Sequence, residues 1–151
     1  MVTKTYTYGM GIRLVLGPSS GIRPTQVRAA LNIFKIAELA EEVILISIQQ
    51  ADALIDSKGS STAPAALTWL AKLRLSAYYA YLSYSDRVFN ELAGSHSRTG
   101  EWNPIGQAIY RETRDKLAAM ERAATKALKD IGIDQEAIGR PYTVPVLGTI
   151  R

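Results

Sequence analysis

The chain has one histidine, His96, set between Ser95 and Ser97. A histidine base needs a second group to orient its ring. No acid flanks this one, and it reads as a solvated loop residue. The acids Glu38, Glu41, Glu42 and Asp52 fall on or near one stretch. Carboxylate metal sites in helical bundles pair such glutamates with Glu-x-x-His on facing helices. No Glu-x-x-His is present, so these acids read as a solvated outer face. With no cysteine, disulfides and thiolate metal sites are excluded. The segment GPSSG, 17–21, lacks the lysine and the spacing of a phosphate loop. The expectation is a protein that is not an enzyme and carries no cofactor or metal.

Two other groupings invite a binding role. Tyr78, Tyr79, Tyr81 and Tyr84 stand within seven residues and point around most of a helix. Tyrosines among basic residues can stack on nucleic-acid bases. Only Lys72, Arg74 and Arg87 lie nearby, so filling wide gaps between helices is favoured. Further on, Arg111, Arg114, Arg122, Lys126 and Lys129 share one side of a helical pattern with Glu112, Asp115, Glu121 and Asp130. This reads as a solvated face with pairs such as Glu112–Lys116, able to attract DNA weakly in passing.

The elements that would position these groups follow from periodicity. The stretches 3–9 and 12–16 are strand-prone and punctuated by Gly9, Gly11 and Gly17-Pro18. Pro24-Thr25 opens a short helix with Val27, Ala30, Leu31 and Phe34 on one side. A second helix is expected from about Ile36 to Ile55. Its stripe is Ala37, Ala40, Ile44, Ile48, Ala51 and Ile55, and its apolar surface is broad enough to form the spine of a bundle. After the turn formers at 56–62, a third helix is expected over 64–93, capped by Gly94, with 95–103 a loop. Asn103-Pro104 starts a fourth helix running to Ile131 before Gly132. Ile105, Ile109, Leu117, Met120, Ala124, Leu128 and Ile131 form its core stripe. Beyond Ile133 two prolines exclude a helix and an extended tail is expected.

At 151 residues with 47% apolar content, one domain with its own core is expected. The N-terminal stretch does not read as a signal peptide, and VILISI, 43–48, is far shorter than the ~20 residues of a membrane span. Net charge is +4 but unevenly placed. Residues 1–37 hold Lys4, Arg13, Arg23, Arg28 and Lys35 with no acid, and the chain after Glu136 holds Arg140 and Arg151 with no acid. All 14 acids lie in 38–136. Basic ends on a mildly acidic body suit head-to-tail contact between copies, an anionic partner for the arms, or plain solubility. The fold class expected is all-α: about four helices in a bundle over 24–132, a strand-prone arm over 1–23 and an extended tail over 133–151.

The order of a helix opened by PTQVRAALNI, then AEEVILISIQQADALIDSKG, then the Pro-led APAALTWLAKLRLSAYYAYL and a last amphipathic helix resembles the head–tail connector (adaptor) proteins of tailed bacteriophages and related viruses. The resemblance spans about 24–131. It rests on Pro24, Thr25, Val27, Leu31 and Ile33, on the turn at Ala51, Ile55 and Asp56, and on Pro64, Leu67, Ala71, Ala77 and Tyr78. The 23-residue arm and the long tail depart from that pattern. The resemblance implies a structural virion protein at the neck, in a twelve-fold homo-oligomeric ring beneath a portal protein. Such a ring extends the DNA channel and docks a downstream tail or stopper protein. Portal contact would fall to the tail residues Arg140, Pro141, Tyr142, Val144, Val146, Leu147, Ile150 and Arg151. Subunit contact would fall to the arm residues Tyr6, Tyr8, Ile12, Leu14 and Leu16, and Arg111, Arg114, Arg122, Lys126 and Lys129 would face the genomic DNA. A coat or nucleocapsid-like helical protein binding viral nucleic acid is the alternative, against which the acid-rich middle speaks.

Overall fold

A computed structural model describes residues 4–7, 13–16, 21–58, 62–100 and 103–134, with backbone alone at 4–7, 13–16 and 97–99. Four helices carry the architecture: α1 (Pro24–Leu31), α2 (Glu41–Lys58), α3 (Ala65–Thr99) and α4 (Pro104–Asp130). Ahead of them β1 (Lys4–Thr7) pairs antiparallel with β2 (Arg13–Leu16), placing Tyr6 opposite Leu14 and Lys4 opposite Leu16. The all-α class holds, with the strand-prone segment where it was expected. Tyr8, Ile12 and the tail from Arg140 to Arg151 lie outside the described residues.

Local chemistry sets the helix ends. Pro24 and Pro104 occupy first-turn positions, where a missing N–H loses nothing. Asn103 Oδ1 accepts from the Ile105 N–H at 2.9 Å, and Gln26 Oε1 accepts from the Arg23 N–H at 2.8 Å. α1 and α4 stop in the same way. Asn32 takes a left-handed φ of 58°, the Ile33 N–H reaches back to the Arg28 carbonyl, and Ile33 is buried. Gly132 takes φ 83°, the Ile133 N–H reaches the Leu128 carbonyl, and Ile133 is buried. Each is a Schellman ending with an apolar residue locked in behind it.

Three expected boundaries move. α1 ends at Leu31, so Phe34 lies outside it and is exposed, as is Ala30. α2 starts at Glu41 and not at Ile36. Residues 33–40 form a connection with a turn on the Lys35 carbonyl and two buried anchors, Ile33 and Leu39. Helix propensity in this segment yields to those tertiary contacts. α3 runs six residues past 93, through Gly94, and ends where Gly100 adopts φ 71° and donates to the His96 carbonyl at 2.7 Å. His96 therefore sits in the last turns of a helix, not in a loop.

The spine is α3 and not VILISI. Over 71–85 its buried residues include Ala71, Leu75, Ser76, Ala77, Tyr78, Ala80, Tyr81, Leu82 and Ser85, which together circle the helix. Ala71, Ala77 and Ala80 let neighbours approach, and Ser76 and Ser85 return their hydroxyls to backbone carbonyls at Lys72 and Leu82. α1 and α2 pack against one flank through Val27, Leu31, Ile44, Leu45 and Ile48, and α4 packs through Ala124, Ala127 and Leu128.

One charged cluster bridges α2 and α3. Lys72 of α3 is buried and lies 3.4 Å from Asp52 and 2.9 Å from Asp56, one turn apart on α2. Asp52 is thus an interhelical partner, not a residue of a solvated outer face. Burial still raises its pKa, outweighing the attraction of Lys72.

Gly94 lies in a helix interior with nothing within 4 Å of an added Cβ. Gly94→Ala should stabilise the fold by about 0.5–1 kcal/mol, read as a higher urea midpoint with unchanged slope.

Candidate functional site

α3 and α4 are the two longest helices, at 35 and 27 residues, against 18 for α2. At 1.5 Å per residue they outrun the rest of the bundle. Phe89 meets Tyr110 with ring centroids 5.2 Å apart, and the Leu92 side chain lies against Gly106. Past this level no residue of α3 from 90 to 96 or of α4 from 104 to 112 is buried. Among the described residues, the end of the α3–α4 hairpin is a two-helix projection with no buried side chain.

That projection leaves apolar surface bare. Ile105 is 68% exposed and Ile109 42%, although both were expected in the core stripe. They lie on the row 105, 109, 112, 116 of α4. Where that row reaches Lys116, the ammonium donates to the Leu31 carbonyl at 2.6 Å and lies 5.0 Å from the Tyr81 ring centroid. This contact replaces the expected Glu112–Lys116 pair. From Leu31 the connection crosses to α3, where Arg87 holds the Ala37 carbonyl at 3.2 Å. Between these two anchors Phe34 is 63% exposed and Ile36 70%. All four are large apolar side chains left exposed, two on the connection after α1 and two on the first half of α4. Glu38 pairs with Lys35 and Glu91 with Arg87, each at 3.8 Å.

The other face of α4 is cationic. Arg111, Arg114, Arg122, Lys126 and Lys129 are all exposed. At about 100° per residue they fall within a sector of about 120° and extend over about 27 Å. Asp115 lies inside the sector and contacts Arg114 at 3.4 Å. Arg114 also sits 5.9 Å from the Tyr110 ring centroid. The remaining four cations face solvent as a stripe, where the sequence pattern suggested a mixed surface.

The tyrosines pack as gap-fillers. Tyr78 and Tyr81 are buried, while Tyr79 and Tyr84 are half-buried. Burial and the proximity of Tyr84 push the Tyr81 phenol up to about 12, against a hydrogen bond with the Thr113 side chain. It stays protonated and is no base at neutral pH. Among the described residues no group of three or more His, Cys, Asp or Glu could hold a metal ion. None of the described helices is long and apolar enough to cross a membrane. No family model, curated protein or solved structure matches this chain.

Sequence reasoning missed the exposure of Ile105 and Ile109 because it read α4 as uniformly covered. The signal was length. A 27-residue stripe cannot be buried end to end by a bundle whose α2 has 18 residues.

Burial raises the Asp86 carboxyl above its ordinary 3.8. Its folded pKa exceeds its unfolded one, so ionisation works against folding. The penalty is complete above the folded value, eases as pH falls through it, and is gone below the ordinary value. Asp86→Asn should therefore raise Tm at neutral pH, with the gain shrinking towards zero below about pH 4 in a melting series.

Proposed function

We propose that the chain is a subunit of a head–tail connector ring: a structural virion protein that docks on a portal, surrounds DNA and receives a tail or stopper protein. The observation that carries this reading is the basic stripe. Four unpaired-facing cations aligned along a rigid helix suit a phosphate backbone passing alongside, with no base readout. A closed ring of such helices would line a channel non-specifically. The exposed Phe34, Ile36, Ile105 and Ile109 and the long hairpin add surfaces for neighbours, as heterologous ring contacts require. The tail residues from Arg140 to Arg151 are the proposed portal contact, and Tyr6, Tyr8, Ile12, Leu14 and Leu16 the proposed contact between subunits. Neck localisation follows from the same reading.

Light scattering and negative-stain microscopy, with and without portal rings, test it. A twelve-subunit ring has twelve times 16.5 kDa, about 200 kDa. Rings, alone or on portals, support the connector. A monomer that ignores portals and coats DNA at physiological salt would replace it with the nucleocapsid-like alternative.

Deleting 140–151 should abolish portal docking while leaving the helical circular dichroism intact; continued docking would overturn the tail assignment. Changing Arg122, Lys126 and Lys129 to Gln should lower the salt dependence of DNA binding by about one unit of log–log slope per residue, with similar losses across sequences. An unchanged slope in filter binding would remove the stripe from the DNA contact.

A further inference from the structure

A pocket opens where the connection after α1 meets α2 and α3. It holds about 120 Å³ and is walled by Leu39, Val43, Ser83 and Tyr84, with Glu38 and Arg87 completing it. Sites for drug-sized ligands run to roughly 300–1,000 Å³. An apolar cavity of about 150 Å³ takes a single benzene. This pocket therefore has the size of one apolar side chain, and its two charged residues are half-exposed at 44% and 46% of their side chains.

The same connection carries a side chain that fits. Ile36 is 70% exposed. It opens a turn in which the Glu38 and Leu39 N–H groups donate to the Lys35 carbonyl at 3.1 and 3.2 Å. Arg87, which lines the pocket, holds the Ala37 carbonyl of that turn at 3.2 Å. Two residues separate Ile36 from Glu38, so their Cα atoms lie within about 8 Å of each other. The projecting residue and the pocket thus belong to one fixed unit, yet Ile36 is not among the residues that line its own pocket.

We propose that two copies of this chain pair about a two-fold axis, with Ile36 of each seated in the pocket of the other. A patch that holds both a projection and a hollow of matching size is complementary to a rotated copy of itself, as an isologous contact requires. Charge agrees. Glu38 and Arg87 give one pocket both signs, and their partners in the same chain, Lys35 and Glu91, stand 3.8 Å off. Rotation sets Glu38 of one copy towards Arg87 of the other, twice in each pair. A partner of another kind would fill the hollow and leave Ile36 bare. The pairing does not rest on the connector reading. It uses neither the cationic stripe of α4 nor the tip of the hairpin, and it closes on two copies where a ring needs heterologous contacts.

Sedimentation equilibrium of the full chain tests it. The expected mass is twice 16.5 kDa, about 33 kDa. Ile36→Glu brings a charge to the hollow, and Ser83→Trp fills the hollow from its own side. Each should raise the dissociation constant by about tenfold or more with the helical circular dichroism unchanged. Two substitutions on opposite sides of the contact guard against a fold lost by one of them. A disulfide trap reads the geometry, since the chain has no cysteine. Tagged Ile36→Cys mixed with untagged Ser83→Cys should give the mixed dimer about tenfold faster than when mixed with Gln50→Cys, whose site is exposed on α2. A chain that stays monomeric, a mass that neither substitution lowers, or equal trapping rates would each overturn the pair. Rings whose mass Ile36→Glu leaves unchanged would overturn the pair and leave the connector reading standing. A pair that dissociates as expected but ignores portals would do the reverse.

Discussion

Three cations from three helices hold the main chain of one short connection. Lys116 of α4 donates to the Leu31 carbonyl, Arg87 of α3 to that of Ala37, and Arg28 of α1 to that of Leu39. Charge-assisted bonds of this kind are stronger than those between neutral groups. They also satisfy carbonyls that a helix end and an irregular turn would otherwise leave exposed. The connection is what carries the chain from α1 to α2 beside α3. Its two apolar anchors, Ile33 and Leu39, point into the core. Phe34 and Ile36 project outward from the same few residues. Core closure and surface exposure are set together by one eight-residue segment.

The remaining organisation follows from α3 being enclosed. A helix surrounded along its middle must make room with small residues and satisfy every polar group it buries. Alanines and backbone-bonded serines meet the first demand. The Lys72–Asp52–Asp56 cluster partners the buried cation of α3, at the expense of desolvating a carboxylate, while Asp86 Oδ1 of α3 stays without a hydrogen-bond partner. Breaking one member of such a group is far more damaging than the intact group is favourable. The cluster therefore acts mainly on which way α2 can face α3.

Much of this was legible in the residues. Four helices, the Pro24 and Asn103-Pro104 starts, the Gly132 stop and the packing role of the tyrosines all follow from local rules and hold. What was not legible depended on partners far away in sequence. KIAELAEE has good helix propensity, yet Lys35–Ala40 is pulled into a connection by bonds from Arg28 and from Arg87, the latter 50 positions off. Gly94 carries the mark of a helix stop, but Gly100 has the left-handed conformation, and a glycine without crowding is merely a weak helix residue. Ile105 and Ile109 obey the core periodicity of α4 and fail only because nothing among the described residues extends far enough to meet them. Asn32 was the overlooked local signal, since asparagine readily takes the left-handed position that ends a helix.

The two ends of the molecule are unlike. Gly21, packed on Trp69 in the first turns of α3, and Ile133, at the end of α4, lie at the same pole. Gly100, at the end of α3, marks the opposite pole. A closed assembly with its axis along α3 would be a washer with two different faces, one at the pole of Gly21 and Ile133 and one at the pole of Gly100. Such an object has a built-in direction. Copies could be threaded onto a filament in only one sense.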